Sequence, residues 1–213
     1  MPTILNAAQH LAHQAFAFPG SGITMADAEQ MLASFAPLDF RPATNPAEQE
    51  AAYRVRYRCV IEQGWASPDE LPDEMERDEH DEYATQILAW QGDRLAGTLR
   101  LVPPVPGRAL PIEEDFGVRI EPVGQVVEGG RLVIVPAYRS DPKVRILRGL
   151  FTRFWIEVNT RGYSLAAFAA PARLARLYRW MGVSLEVIEP TRYLWGENRL
   201  LMLAAREGLW TRQ

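Results

Sequence analysis

The stretch Glu128–Pro136, EGGRLVIVP, joins a buried strand to a charged entrance. Leu132–Val135 is an apolar run with the length of a core strand. A glutamate, two glycines and an arginine precede it. On an ideal strand Glu128 and Arg131 face opposite sides, because side chains alternate. Two glycines in the gap signal a bulge, which re-aims side chains and predicts both residues on one face. Paired in this way they suit a site at the mouth of the strand. A structural Glu–Arg pair pinning a neighbouring loop is the alternative.

The segments on either side set this strand in a sheet. KVRILRGLFTRFWIEVNTRG (Lys143–Gly162) has the periodicity of an amphipathic helix closed by Gly162. YSLAAFAAP reads as a buried strand, PARLARLYRWMG as a short helix, and SLEVIEP and RLLMLAA as two last strands. Upstream, TQILAWQGDRLAGTLRLVPP alternates around Gly92-Asp93, the signal of a tight hairpin. NPAEQEAAYRVRYRCVIEQGW opens as a helix, with Asn45 as cap, Pro46 at the first position and Glu48 completing a capping box. That helix should end near Gly64, and LDFRPA before it alternates like an edge strand. Residues 66–84 are polar and acidic and predict a mobile loop. Residues 103–124, with five prolines and three glycines, predict a long surface connection. Residues 1–37 read as two appended helices, ILNAAQHLAHQAF and MADAEQMLASF, the second started by Thr24 or Asp27. The order β-α-β-β-β-α-β-α-β-β predicts an α/β (α+β) fold, a mixed sheet covered by helices, in one domain over 38–213.

The composition narrows the function. The chain has 213 residues, 47% of them hydrophobic, enough for one substantial core. A net charge of -4 argues against a nucleic-acid binder. The single cysteine, Cys59, excludes an internal disulfide, and His10, His13 and His80 form no ligand cluster, so no metal site is expected. No run approaches the roughly 18 apolar residues of a membrane span. The N-terminus lacks a basic segment followed by an apolar one, so cytoplasm is the expected compartment.

The element order resembles the GNAT acyltransferase fold, and LYRWMGVSLEV is similar to that superfamily's "LYxxxGF" segment. The resemblance makes Tyr178 the proton donor to a leaving thiolate; an amphipathic core tyrosine is the other reading. GNAT enzymes that bind CoA follow the central strand with a glycine-rich turn that cradles the diphosphate. Here Asp141-Pro142 occupies that turn, which disfavours this mode of CoA binding. A donor carried by phosphopantetheine on a protein needs no such cradle. Over about 38–205 the chain resembles the acyl-homoserine-lactone synthases, with Arg56 and Trp65 in the first helix, Asp78 and Asp81 in a D-x-x-D pair, Arg100 in the hairpin, Phe116, and Glu128 and Arg131 in an E-x-x-R pair. The chain departs from that pattern by one residue fewer between Arg56 and Trp65, and by Phe168 where synthases using 3-oxoacyl donors often carry threonine. The related N-acyl amino acid synthases share the fold and are the close rival.

The resemblance implies an acyltransferase that moves a fatty acyl group from an acyl carrier protein, or CoA, to the amine of S-adenosylmethionine, with no bound cofactor. Amide formation needs a neutral amine, and an α-amine is mostly ammonium at pH 7. Glu128 can accept its proton, directly or through water, and backbone N–H groups at Gly129-Gly130 can face the thioester oxygen. Asp78 and Asp81, i,i+3, can share a face and pair with Arg56, Arg100 or Arg131 to shape the amine pocket. Trp65 and Phe116 offer flat walls for the acceptor, and Phe151, Phe154, Trp155 and Phe168 an apolar surround for the acyl chain. Lys143, Arg145, Arg148 and Arg153 make a basic helix on an acidic protein, where an acidic carrier protein can dock; a solvated helix face is the plain alternative.

Overall fold

The computed structural model describes residues 3–6, 23–140 and 144–206. Among these lie strands β1 (Thr3–Asn6), β2 (Leu38–Pro42), β3 (Thr85–Gln91), β4 (Arg94–Val102), β5 (Val118–Glu121), β6 (Val126–Ile134), β7 (Leu165–Ala170), β8 (Glu186–Leu194) and β9 (Glu197–Ala205). The helices are α1 (Met25–Ser34), α2 (Pro46–Glu62), α3 (Pro111–Phe116), α4 (Arg145–Thr160) and α5 (Ala172–Trp180). The chain forms two compact units that interleave in sequence. One takes Met25–Val102 and Gly130–Phe154; the other takes the described residues before Met25, Pro103–Gly129, and those from Trp155 onward. β6 carries the chain from the second into the first.

In the first unit α2 starts as its sequence dictates. Asn45 accepts the Glu48 N–H at 3.0 Å, and Pro46 fills the first position. The Glu48 carboxylate turns back to the Thr44 N–H at 2.8 Å, one residue before the cap expected to receive it. Arg41 holds the same carboxylate and keeps its pKa down at about 2. Gly64, at φ +68°, ends the helix path. Ala52, Arg56 and Val60 lie one turn apart on the buried stripe of α2, so a guanidinium occupies the middle of an apolar face. β2, β3 and β4 pair antiparallel, with β3 and β4 turning at Gly92-Asp93. Gly97 of β4 has no room for a side chain: a Cβ there would sit 2.8 Å from the Val133 carbonyl oxygen. Gly149 of α4 lets that helix pack on the ring of Phe40, which would overlap any Cβ.

In the second unit the first half of β6 runs parallel to β7, from Val126 opposite Leu165 to Gly129 opposite Phe168. β7 and β8 both pair antiparallel with β9. Parallel and antiparallel ladders therefore occur together, as the element order predicts.

Two expectations are corrected here. Ile4–Asn6, the start of the expected first helix, lie with Thr3 in a strand parallel to β5, from Thr3 opposite Val118 to Asn6 opposite Glu121. The rest of that helix lies outside the described residues, whereas the second helix is present directly after Thr24. The connection 103–124 is not a surface excursion. It contains α3 and β5 and buries Leu110, Ile112, Phe116, Val118 and Ile120. Buried Glu113 ties it together, accepting the Ile120 N–H at 2.7 Å, the Leu110 N–H at 2.8 Å and Arg119 at 2.9 Å.

Candidate active site

The acidic segment 66–84, expected to be a mobile loop, is exposed in its first half and packed into the first unit in its second. Glu76, His80 and Asp81 are buried. The D-x-x-D spacing acts as a capping box for the 3-10 turn Glu79–Glu82. Asp78 accepts the His80 N–H at 3.0 Å, and Asp81 reaches back to the Asp78 N–H at 2.9 Å. Each carboxylate thus fixes the backbone that presents the other.

Three arginines from three elements meet these acids. Arg56 of α2 grips Asp81 in fork geometry, Nη1 to Oδ1 at 2.8 Å and Nη2 to Oδ2 at 2.9 Å, and its Nε bonds Glu76. Arg100 of β4 donates Nη1 to Asp78 at 2.6 Å and to Asp81 at 3.1 Å. Arg131 of β6 donates Nε to Glu76 at 2.9 Å and Nη2 to Asp78 at 2.9 Å. Gln86 adds an amide donor to Asp81 at 2.8 Å. Formal charge cancels across Arg56, Arg100, Arg131, Glu76, Asp78 and Asp81.

Burial opposes the charges of Arg56, Glu76, Asp78 and Asp81, and their partners outweigh it. Arg56 is raised, its bonds to Asp81 and the charge of Glu76 exceeding desolvation. Asp81 is lowered to about 2: burial pushes up, and the Arg56 fork pulls further down. Asp78 is lowered against burial by Arg100 and Arg131, and Glu76 by Arg131 and Arg56. These carboxylates stay ionised at neutral pH.

β6 has its irregularity one residue past the two glycines. Arg131 itself adopts the left-handed region, φ +51°. In a non-glycine residue that conformation costs on the order of 1–3 kcal/mol and clusters at functional sites. The Glu76 and Asp78 contacts hold it there. Arg131 thus pins the acidic loop, the structural part of the reading made from sequence.

Glu128 lies buried on the second-unit half of β6. Its Oε2 accepts the Ile112 N–H at 2.8 Å, the first free donor of α3 after Pro111. Phe116 ends that helix, buried, with the Arg192 guanidinium 5.8 Å from its ring centre. Phe168 is buried on β7. Tyr178 is buried on α5, and desolvation raises its phenol above the ordinary range, so it holds its proton. Phe151 and Phe154 are buried in the first unit, Trp155 in the second.

In the first unit Trp65 is half-buried just beyond α2. Lys143 and the Asp141-Pro142 turn lie outside the described residues. Arg145, Arg148 and Arg153 are each half-buried, so this helix face is more covered than a freely solvated one. Among the described residues no group of His, Cys, Asp or Glu is arranged to hold a metal ion. No described helix is long and apolar enough to cross a membrane.

Sequence reasoning missed Glu76 and Gln86. Glu76 is one acid among many between Glu70 and Glu82. The available signal was the arginine count: three guanidiniums on core-facing elements need a third carboxylate beside Asp78 and Asp81.

Comparison with known proteins agrees with this architecture. Residues 55–148 match the acetyltransferase (GNAT) domain family, so the chain carries an acyltransferase-type domain. The CoA-dependent acyl-homoserine lactone synthase MesI superposes with a TM-score of 0.63 at 18% identity, over 79% of this chain and 89% of its own. The AHL synthase LasI superposes with 0.63 at 12% identity, over 79% and 90%. FeeM, an N-acyl amino acid synthase from uncultured soil microbes, gives 0.61 at 14% identity, over 81% and 92%. The fold is thus the GNAT fold, in the form shared by these synthases. A sequence comparison with curated proteins finds no match.

Proposed function

We propose that the protein transfers a fatty acyl group from a thioester to the amine of S-adenosylmethionine, giving an N-acyl-homoserine lactone. The observation that carries this reading is the charge-balanced network of Arg56, Glu76, Asp81 and Arg100, all buried, with the partly exposed Asp78 and Arg131. Burying four ionised groups is a poor way to gain stability, since desolvation offsets most of the attraction. A wall of fixed, alternating charge does suit an acceptor that carries ammonium, sulfonium and carboxylate together. The likeness to MesI and LasI supports the same assignment.

In this reading Glu128 takes the proton of the acceptor ammonium, directly or through water. The amine attacks the thioester carbon, the C–N bond forms and the C–S bond breaks. Tyr178 supplies a proton to the leaving thiolate, and the second proton that the nitrogen loses on becoming an amide restores the phenol. The acceptor carboxylate then closes on the carbon bearing the sulfonium, and the thioether leaves. In the first unit Trp65 is an apolar wall offered to the acceptor; in the second, Phe116 is offered to the acceptor and Phe168 to the acyl chain. The donor is an acyl carrier protein docked on Lys143, Arg145, Arg148 and Arg153, its acyl group on phosphopantetheine. The protein itself retains no cofactor.

N-acyl amino acid synthesis is the second reading, favoured by the likeness to FeeM. Mass spectrometry of extracts from an expressing strain separates the two. Lactones support the first and linear N-acyl amino acids the second. Neither product points to a non-catalytic acyl-carrier-binding module.

A further inference from the structure

Three hydrogen-bond donors in the first unit are left over by the network. Arg100 has no solvent exposure, and only its Nη1 is used, by Asp78 and Asp81. Its Nε and Nη2 are buried with no partner among the described residues. The hydroxyl of Thr98, two residues earlier on β4 and fully buried, is in the same condition. Residues two apart on a strand share a face. Gly97, just before Thr98, turns to the opposite face, against Ile146 and Leu150 of α4. Leaving a buried donor unmade costs about 1–3 kcal/mol, more for a charged one. A strand that keeps three of them side by side is arranged for an acceptor that is not part of the protein.

We propose that the Nε–Nη2 edge of Arg100, with the Thr98 hydroxyl beside it, is the subsite for the carboxylate of the amine acceptor. This rests on the acyl-transfer reading and sharpens it: the acceptor must carry a carboxylate next to its amine. The Nε–Nη2 edge is the planar fork that binds a carboxylate through two parallel N–H···O bonds. The hydroxyl supplies a third bond to a group whose two oxygens accept several. A phosphate is a worse fit, because its further negative charge meets Asp78 and Asp81 at close range. The zwitterionic head of an amino acid adds no net charge to a network that is already neutral. Asp78, bonded to Arg100 and with a side chain 31% exposed, is the most open carboxylate of the network and marks the way in. The edge is closed to solvent, so the acceptor reaches it by displacing that contact.

The test uses Thr98→Val in the full chain, because losing Arg100 would take one guanidinium from both Asp78 and Asp81 and disturb the site. Valine keeps the shape and removes the hydroxyl, so the thermal midpoint should hold or rise. With wild type, thiol release from an acyl thioester should favour S-adenosylmethionine over its decarboxylated analogue by about 10²-fold or more in kcat/KM. Thr98→Val should raise KM for S-adenosylmethionine about 10-fold and leave KM for the thioester in place. Equal use of both amines, or an unchanged acceptor KM in the variant, overturns the subsite while leaving acyl transfer intact. If no amine supports thiol release, the acyl-transfer reading fails. Calorimetry then decides the subsite by itself. Preferential binding of S-adenosylmethionine over the decarboxylated analogue, weakened in Thr98→Val, sustains it; equal or absent binding overturns it.

Discussion

Asp81 is held by Arg56 through two parallel bonds of 2.8 and 2.9 Å, with both side chains buried. Removing the guanidinium leaves Asp81 and Glu76 as buried charges short of a partner. Arg56→Met should therefore lower stability by about 3–5 kcal/mol, far more than loss of an exposed ion pair. Urea unfolding of the two proteins checks this. A change under 1 kcal/mol would show that water replaces the guanidinium.

The same network sets an acid limit. Asp81 has its pKa lowered from 3.8 to about 2, and Asp78 and Glu76 are lowered as well. A depressed carboxylate contributes stability that is present above its unfolded pKa and lost as pH falls through its folded one. Asp81 alone then contributes about 2 kcal/mol at neutral pH, lost between about pH 4 and pH 2. Stability measured across that range should fall steeply in wild type and more gently in Arg56→Met.

Glu128→Gln separates base from cap. The amide oxygen can still accept the Ile112 N–H, so the thermal midpoint should change little. Single-turnover acylation should fall by roughly 10²–10⁴-fold if Glu128 is the proton acceptor. A destabilised variant with near-normal acylation would assign Glu128 to holding α3 alone.

Tyr178 keeps its proton because burial disfavours the phenolate. Tyr178→Phe should reduce kcat by on the order of 10²-fold, the lower end for loss of a general acid. A poor leaving thiol should widen the deficit and a good one narrow it. A deficit blind to the thiol would leave Tyr178 as core packing.

Gly149→Ala should destabilise the first unit although alanine is the better helix former by about 1 kcal/mol. The new methyl falls on the Phe40 ring, and overpacking of this kind costs about 1–3 kcal/mol. Adding Phe40→Leu should restore part of the loss in thermal unfolding, which an effect confined to the helix would not allow.

Features written in local chemistry were legible in the sequence. Asn45 and Pro46 start a helix, Gly92-Asp93 turn a hairpin, and Asp78 and Asp81 meet arginines. Features that depend on distant partners were not. Thr3–Asn6 became a strand because β5, more than a hundred residues away, offers an edge to pair with. The apolar residues of 103–124 follow neither a helix nor a strand period, so their burial stayed hidden. The bulge expected of Gly129-Gly130 missed that Arg131, clamped by two acids, takes the unusual φ itself.

The anchoring of the acidic loop also implies an order of assembly. Its carboxylates reach Arg56 across 20 and 25 residues, Arg100 across 22 and 19, and Arg131 across 55 and 53. The loop has few apolar groups to collapse early, and closing the longest of these spans costs chain entropy before any bond repays it. It can settle only after α2, β4 and β6 have brought their guanidiniums to one place. In folding, the acid wall is the keystone set last, and amide exchange in Glu76–Asp81 should report the completed unit rather than the first helix or hairpin to form.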